Sequence, residues 1–263
     1  MSRFRSEFAT FAFMSFLSKL FQSEKKQEAE PVDLTVIGVD MHSHLLPGID
    51  DGAVDLENSI QLISQLNDLG YRRFITTPHI FQDLYRNTPS TILPQLEIVR
   101  EELKRRGMNV TIDAAAEYYL DETLEKLVEE KSLLTFGKNY VLFEISFVHE
   151  PPNLQRCIFN MHLQGYKPVM AHPERYEYWH NDFSKYESML DRDVLLQLNV
   201  NCLTGHYGPG VKKISERLID EGMISFIGSD CHHVGHTELL RQVRTSSHLR
   251  KLIESGKLLN KEL

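Results

Sequence analysis

The sequence is poor in cysteine, in long apolar runs and in positive charge. Its three cysteines, Cys157, Cys202 and Cys231, form no CxxC pair and provide no disulfide framework, which favours a reducing, cytoplasmic location. The longest apolar stretch near the N-terminus, residues 8–17, has about half of the roughly 20 residues that a membrane span requires. Acidic residues outnumber basic ones by 37 to 29, and the net charge of -8 argues against a nucleic-acid partner.

The first 35 residues are typical of an extension that precedes the main domain. An amphipathic helix is predicted over residues 13–21, because the apolar residues recur at helical spacing: Phe13, Phe16, Leu17, Leu20 and Phe21. The polar segment over residues 23–31 is typical of a linker. The helix either docks on the protein, precedes the true start of the chain, or makes a peripheral contact with a membrane surface.

Residues 36–263 alternate short β-rich runs with segments of helical spacing, which predicts one α/β domain. Seven strands are predicted, over residues 36–40, 73–77, 111–116, 140–145, 168–171, 195–200 and 225–228. Four helices end in a glycine that precedes the next strand: Gly70, Gly107, Gly165 and Gly222. Such repetition predicts a parallel sheet, and seven units favour a (β/α)7 barrel over a doubly wound open sheet.

Polar side chains follow six of the seven predicted strands, in the motifs DMHSHLLPGIDDG, TPH, AEYY, FE, HPER and SDCH. Functional groups gather at this end of parallel βα folds. The motifs supply five histidines and four carboxylates, which would be costly to bury together unless divalent cations neutralised them. A nitrogen and oxygen set without thiolate suits Mn, Fe or Zn. Cys231 alternates with Asp230 and His232, so we expect it to point away from them and to pack.

These six motifs, in this order, resemble the polymerase and histidinol phosphatase (PHP) superfamily. Among its branches, the set is similar to the bacterial tyrosine-protein phosphatases that are encoded with capsule and exopolysaccharide genes. The resemblance covers about residues 36–243. It implies a distorted (β/α)7 TIM-like barrel that holds three divalent metal ions, with Mn expected and Fe, Zn or Mg as alternatives.

The resemblance also implies which residues hold each metal. Four residues would hold the first metal: His42, His44, Glu117 and Asp230. Glu117 would bridge to a second metal, which is also held by Glu144 and His172. The third metal would take His79, His232 and Asp51, the second aspartate of the IDDG stretch, with Asp50 as the alternative. The expected catalytic residues are Glu117 and Arg175, the arginine of HPER that matches the phosphate-binding arginine of the family.

Several further residues are candidates to contact the substrate. Relatives often carry an arginine a few residues after SDxH, whereas here the first one is Arg241, so the candidates for that contact are His233, His236 and Arg241. Arg86, in the loop after the second strand, is another candidate to meet phosphate. Four aromatic residues are candidates to flank a phenyl ring, although packing under a loop is the commoner role: Phe81, Tyr85, Tyr118 and Tyr119.

The activity that the resemblance implies is hydrolysis of phosphotyrosine by attack of a hydroxide that bridges two metals. The expected substrate is the tyrosine-rich tail of a bacterial tyrosine kinase that controls polysaccharide export. The thiolate mechanism of other tyrosine phosphatases is excluded, because none of the cysteines is followed by arginine six positions later. The alternatives are a small-molecule phosphatase such as histidinol phosphatase, an exonuclease of the same superfamily, and a non-catalytic metal-binding module.

Overall fold

The computed structural model describes residues 30–263, which form nine strands and eight α-helices. The strands are β1 (Val39–Asp40), β2 (Arg73–Thr76), β3 (His79–Ile80), β4 (Thr111–Ala114), β5 (Glu117–Tyr119), β6 (Tyr140–Glu144), β7 (Lys167–Ala171), β8 (Leu195–Asn199) and β9 (Ile224–Gly228). The helices are α1 (Leu56–Asp68), α2 (Pro89–Arg105), α3 (Glu122–Glu129), α4 (Leu154–Leu163), α5 (Ser184–Leu190), α6 (Pro209–Asp220), α7 (Val234–Val243) and α8 (Ser247–Glu254). None of these helices is long and apolar enough to cross a membrane. The helix predicted over residues 13–21 lies outside the described residues.

All strand pairs are parallel, as predicted, and they form two sheets. The smaller sheet has the strand order β1-β2-β4, and the larger has the order β3-β5-β6-β7-β8-β9. The α/β class with parallel sheets is therefore confirmed. The prediction of one closed barrel is not, because within the described residues the strands pair as two separate sheets.

Two of the seven predicted strands are interrupted, which explains the division into two sheets. The second continues from β2 into β3 across Pro78, which has no N–H to donate to a neighbouring strand. The third continues from β4 into β5. The first predicted strand begins late, because Leu34–Val36 forms a 3-10 turn before β1. As a consequence, His79 on β3 is the register partner of Glu117 on β5.

The glycines predicted to end helices do so. Gly70, Gly107, Gly165 and Gly222 all have positive φ angles, between 67° and 121°. This left-handed conformation costs glycine little, and it turns the chain out of the helix toward the next strand. The short connections place each strand end on the same side of the fold, where the motifs identified in the sequence stand.

Within their own limits, the first and last strands are linked by side chains rather than by a regular ladder. Asn260 donates Nδ2–H to the carbonyl oxygens of Val39 (2.9 Å) and Ile227 (2.8 Å), and its Oδ1 accepts from the Ile227 N–H (3.1 Å). Further along, the carboxylate of Asp40 accepts from the N–H (2.8 Å) and the hydroxyl (2.7 Å) of Ser229. A buried asparagine therefore satisfies backbone groups of β1 and β9 that no strand partner reaches.

Replacing Asn260 by Leu should lower the free energy of unfolding by about 2–4 kcal/mol, because buried backbone groups on both strands lose their partners. Urea denaturation followed by circular dichroism measures the loss. The matched control is Lys261→Ala at the exposed neighbouring position, which should change the free energy of unfolding by less than about 0.5 kcal/mol. Equal stability of the two variants would contradict this role for Asn260.

Candidate metal centre

The structure brings all nine predicted ligands together at the strand ends. Seven of them line a cavity of about 490 Å³, and His42 and His44 are fully buried beside them. Their nitrogen and oxygen atoms form four groups, each with its ligand atoms within 4.8 Å of one another: His44, Asp51, His79 and His232; His42, His44 and Asp230; His42, Glu117 and His172; His79, Glu117 and Glu144. This is the arrangement that a multi-metal centre requires.

Glu117 lies at the centre of the cluster and is fully buried. Its Oε2 is 3.2 Å from His42 Nε2, 3.2 Å from His79 Nδ1 and 3.4 Å from His44 Nε2. Its Oε1 is 3.0 Å from His172 Nε2. Burial alone would raise the pKa of Glu117, but His42 and His79 outweigh it and hold this pKa well below its usual value. The glutamate is therefore an anion shared between two of the four groups.

The two histidines of the first motif, His42 and His44, are oriented by hydrogen bonds to their Nδ1 atoms, which point away from the cluster. The Nδ1 atom of His42 is 2.8 Å from Gln197 Oε1, and the Nδ1 atom of His44 is 2.8 Å from Asp50 Oδ2. With Nδ1–H donating to these oxygens, the Nε2 atoms are the ones turned toward the cluster, and they lie 3.4 Å apart. Both also face Asp230 Oδ1, at 3.4 and 3.6 Å. Partners of this kind fix the ring orientation of metal-binding histidines.

The two adjacent aspartates of the IDDG stretch have different surroundings. Asp50 accepts from His44 and from the backbone N–H of Gly52 (3.0 Å), and attraction to the His44 charge outweighs burial and lowers its pKa to about 2. Asp51 is half-exposed, and its Oδ1 lies 3.5 Å from the Nε2 atoms of both His79 and His232. Asp51 is therefore the one placed among the ligand atoms, whereas Asp50 orients a ligand.

The backbone is constrained at several ligands. His172 and Asp230 have φ angles of 33° and 48°, in the left-handed region that residues other than glycine rarely adopt. Such strain is concentrated at functional sites. Gly52 and Gly228 pack so closely against His44 and His42 that a β-carbon at either glycine would collide with them. The fold therefore needs glycine at both positions, one in the loop after β1 and one at the end of β9.

Arg175, the residue expected to bind phosphate, lies at the wall of the same cavity. Its Nη1–H donates to Asp230 Oδ2 (3.2 Å), which also accepts from Asn199 Nδ2 (2.7 Å). The guanidinium carbon is 4.7 Å from the ring centre of Phe147 and 4.8 Å from that of Tyr207. Cation–π contacts and the bond to Asp230 together restrict the guanidinium to one position. The positive charge is thus held beside the ligand cluster.

The other candidates for a cationic contact with phosphate fall into two pairs, one that lines the cavity and one that does not. His233 and His236 line the cavity, and His236 Nδ1 accepts from the His232 N–H (3.1 Å). Arg86 and Arg241 lie outside the cavity wall. Arg86 is exposed and donates from Nε to the Gln82 carbonyl (2.8 Å), and Arg241 is half-exposed and lies 3.6 Å from a carboxylate on its own helix. A role for either arginine in holding phosphate is therefore unsupported.

The prediction that Tyr118 contacts the substrate is corrected by its burial in the core. Its hydroxyl accepts from the Leu134 N–H (2.6 Å). Side chains alternate along a strand, so Glu117 and Tyr119 face the cavity and Tyr118 faces the opposite side. Tyr119 stacks on Phe81 with ring centres 4.0 Å apart, and Tyr85 stacks on His79 at 5.5 Å. The other three aromatic candidates line the cavity.

Four residues of the site were not identified from the sequence: Gln197, Asn199, Phe147 and Tyr207. For Gln197 and Asn199 a signal exists, because they are the two polar residues of an otherwise apolar strand and lie on the same face of β8. Phe147 and Tyr207 lie in connecting segments and carry no comparable pattern.

The three cysteines are free and buried, and Cys231 packs in the core as predicted. Burial raises the pKa of Cys157 to about 12 and raises the pKa values of Cys202 and Cys231 as well. A buried thiol with a raised pKa is a poor nucleophile. This agrees with the exclusion of thiolate chemistry from the spacing of cysteine and arginine.

Comparison with known families identifies the chain. Residues 38–249 match the family described as "Capsular polysaccharide synthesis, CpsB/CapC". The chain belongs to this family. It is 29% identical over 197 residues to the tyrosine-protein phosphatase YwqE of Bacillus subtilis, covering 74% of this chain and 78% of that protein. It is 26% identical over 202 residues to the tyrosine-protein phosphatase CpsB of Streptococcus agalactiae, covering 74% of this chain and 83% of that protein.

The fold of this CpsB/CapC family member is also similar to a solved structure. The structure belongs to a crystallographic study of YwqE from B. subtilis and CpsB from S. pneumoniae, described there as unique metal-dependent tyrosine phosphatases. The match has a TM-score of 0.73 and 28% sequence identity, and it covers 85% of this chain and 94% of the other. The chain that carries the ligand cluster thus belongs to a family with relatives that are described as metal-dependent.

In protein loaded with manganese as the probe, Glu117→Gln should lower the metal content more than His232→Ala, because Glu117 belongs to two of the four candidate ligand groups and His232 to one. We expect a loss of two ions per chain against one, by elemental analysis after desalting, and a fall in kcat on the order of a hundredfold for Glu117→Gln.

The matched control is Glu174→Gln. Glu174 is also fully buried, but its Oε1 accepts from the Asn199 N–H (2.9 Å), a bond that glutamine retains. The control should bind as much manganese as the wild type. A Glu117→Gln protein with wild-type metal content would show that strand β5 does not carry a shared ligand.

Proposed function

We propose that this protein is a metal-dependent protein-tyrosine phosphatase. The observation that carries the proposal is the convergence of nine imidazole and carboxylate side chains beside Arg175, at one end of a parallel α/β fold. Phosphate-ester hydrolysis needs a cluster of positive charge that faces the phosphoryl oxygens and a path for an attacking water. The family and the names of its relatives support phosphotyrosine as the substrate class.

We infer that the cluster holds three divalent ions, with manganese preferred and iron, zinc or magnesium as alternatives. The residues fit such ions, because the four groups consist of imidazoles and carboxylates that face one another. His42 and His44 present Nε2 to the cluster, since their Nδ1 atoms are engaged by Gln197 and Asp50. When bound, the ions supply Lewis acidity toward phosphate oxygens and activate a water for attack.

The protein's own groups bind and orient the phosphate. Arg175 donates N–H groups to phosphate oxygens, and Asp230, Phe147 and Tyr207 hold its guanidinium so that little reorganisation is needed. Glu117 balances the positive charge of the cluster. A tyrosine leaving group, with a pKa of about 10, departs without strong proton donation, so no dedicated general acid is required.

We also infer that the two sheets are parts of one distorted (β/α)7 TIM-like barrel. Contacts beyond the strand limits support this interpretation. Ser43 and Cys231 form a parallel β-bridge between the continuations of β1 and β9, and the Thr77 N–H donates to the Ser43 carbonyl (2.7 Å). In such a barrel the C-terminal strand ends form one rim, which would be the rim that carries the ligands.

As the partner we propose the phosphotyrosine-containing tail of a bacterial tyrosine kinase that controls polysaccharide export, with the reaction in the cytoplasm. The family description, which refers to capsular polysaccharide synthesis, supports this choice. The net charge of -8 argues against nucleic acid as substrate. A peripheral membrane contact through residues 13–21 stays a prediction.

Matched phosphotyrosine and phosphoserine peptides test the substrate class. The manganese-loaded protein should hydrolyse the phosphotyrosine peptide with a kcat/KM more than about tenfold higher, which corresponds to roughly 1.4 kcal/mol of transition-state discrimination. Histidinol phosphate is measured in parallel. Faster turnover of histidinol phosphate than of either peptide would favour the small-molecule phosphatase instead.

Chelation tests the metal requirement. Incubation with EDTA followed by desalting should abolish hydrolysis of p-nitrophenyl phosphate, and added manganese should restore it better than zinc or magnesium, because an imidazole- and carboxylate-rich site suits that ion. Elemental analysis of the same samples links activity to metal content. Full activity in protein shown to be free of metal would refute the centre.

A further inference from the structure

Two strongly exposed apolar side chains lie at the wall of the cavity. Leu84 is 67% exposed and Phe147 is 44% exposed, and both line the cavity that contains Arg175. They come from different segments, one after β3 and one after β6. Exposed apolar groups at a concave site are typical of ligand contact, because water leaves them when a ligand binds.

The segment that carries Leu84 is a closed turn. Phe81 and Tyr85 exchange backbone hydrogen bonds, with the Phe81 N–H donating to the Tyr85 carbonyl (2.9 Å) and the Tyr85 N–H donating to the Phe81 carbonyl (2.8 Å). The Phe81 ring stacks on Tyr119, and the Tyr85 ring stacks on His79. Leu84 is thus presented by a turn whose two flanking rings pack on the cavity wall.

Phe147 is held next to the group that would bind phosphate. Its ring centre is 4.7 Å from the guanidinium carbon of Arg175 and 5.7 Å from the ring centre of His172, with an angle of 27° between the two rings. The segment is turned locally by a hydrogen bond from the Val148 N–H to Ser146 Oγ (3.1 Å). A phosphate ester bound at Arg175 would therefore bring its ester substituent close to the Phe147 ring.

We propose that Phe147 and Leu84 are specificity-determining residues that contact the aromatic ring of the substrate. The inference rests on the proposed phosphatase function and adds to it the residues that distinguish an aryl ester from an alkyl ester. An aryl ring carries apolar area and a π face that can pack on Phe147 and Leu84. The short aliphatic stem of phosphoserine has neither, so it gains little from the same two residues.

The experiment measures ligand binding and hydrolysis in parallel, on the manganese-loaded full chain. Calorimetry gives the Kd of phenylphosphonate, a non-hydrolysable aryl ligand, and the Kd of inorganic phosphate. Hydrolysis of matched phosphotyrosine and phosphoserine peptides gives kcat/KM. The variants are Phe147→Leu and Leu84→Ala, and the matched controls are Phe159→Leu and Leu163→Ala, two exposed apolar positions on α4 (64% and 68% exposed).

We expect Phe147→Leu to weaken phenylphosphonate binding about fivefold and phosphate binding about twofold, because the lost contact with Arg175 affects both ligands and the lost ring contact affects only the aryl ligand. Leu84→Ala, which has no contact with Arg175 to lose, should weaken phenylphosphonate binding about two- to threefold and leave phosphate binding unchanged. The kcat/KM for the phosphotyrosine peptide should fall by similar factors, whereas that for the phosphoserine peptide should fall at most about twofold in Phe147→Leu and stay unchanged in Leu84→Ala. The two control substitutions should leave the Kd values of both ligands unchanged.

Equal weakening of phenylphosphonate and phosphate by Phe147→Leu would overturn the proposal, because the ring would then act only through Arg175. Unchanged binding of phenylphosphonate in both variants would overturn it as well. A failure of the proposed phosphatase function is recognised by a different result, namely that the wild-type protein does not hydrolyse the phosphotyrosine peptide. The Kd values of phenylphosphonate and phosphate would still show whether Phe147 and Leu84 contact an aryl ring.

Discussion

The site depends on one buried carboxylate, Glu117, which contacts four imidazoles, those of His42, His44, His79 and His172. An ionised carboxylate without partners would cost several kcal/mol to bury at this depth. Its partners come from three places in the chain: after β1, on β3 and after β7. Glu117 can therefore remain charged only when these strand ends converge, so folding and the assembly of the ligand cluster are coupled. Bound cations would compensate the remaining charge of the neighbouring carboxylates.

A second layer of polar side chains determines how the ligands point. Gln197 and Asp50 engage the rear nitrogens of two histidines, and Asn199 holds one oxygen of Asp230 while the other faces the cluster. Buried polar groups are seldom left without hydrogen bonds, so each of these contacts also satisfies the groups that the strands bury. The same principle applies between β1 and β9 themselves, where Asn260 bonds to both strands. Precise ligand geometry is thus a consequence of hydrogen-bond satisfaction in the core.

The cavity combines a charged floor with an apolar wall, and Arg175 stands at their boundary. On one side its guanidinium bonds to Asp230, and on the other it packs against aromatic rings. A phosphate ester has the same two parts, a dianion and an organic substituent. A floor of this kind would bind any phosphate monoester, so discrimination between esters has to come from the wall. This separation explains why the ligand motifs alone indicate phosphatase chemistry more firmly than they indicate the substrate.

The sequence predicted the parallel α/β class and the nine imidazole and carboxylate side chains that meet at the strand ends, because strand periodicity, helix-ending glycines and polar strand ends are local patterns. It did not determine the pairing of the strands as two sheets, the burial of Tyr118, or the positions of Arg86 and Arg241 away from the cavity. Nor did it identify Phe147 or Tyr207. These features follow from the folded chain alone, because they depend on contacts through space between distant segments. Gln197 and His42, for example, are 155 residues apart in the chain and 2.8 Å apart in the fold.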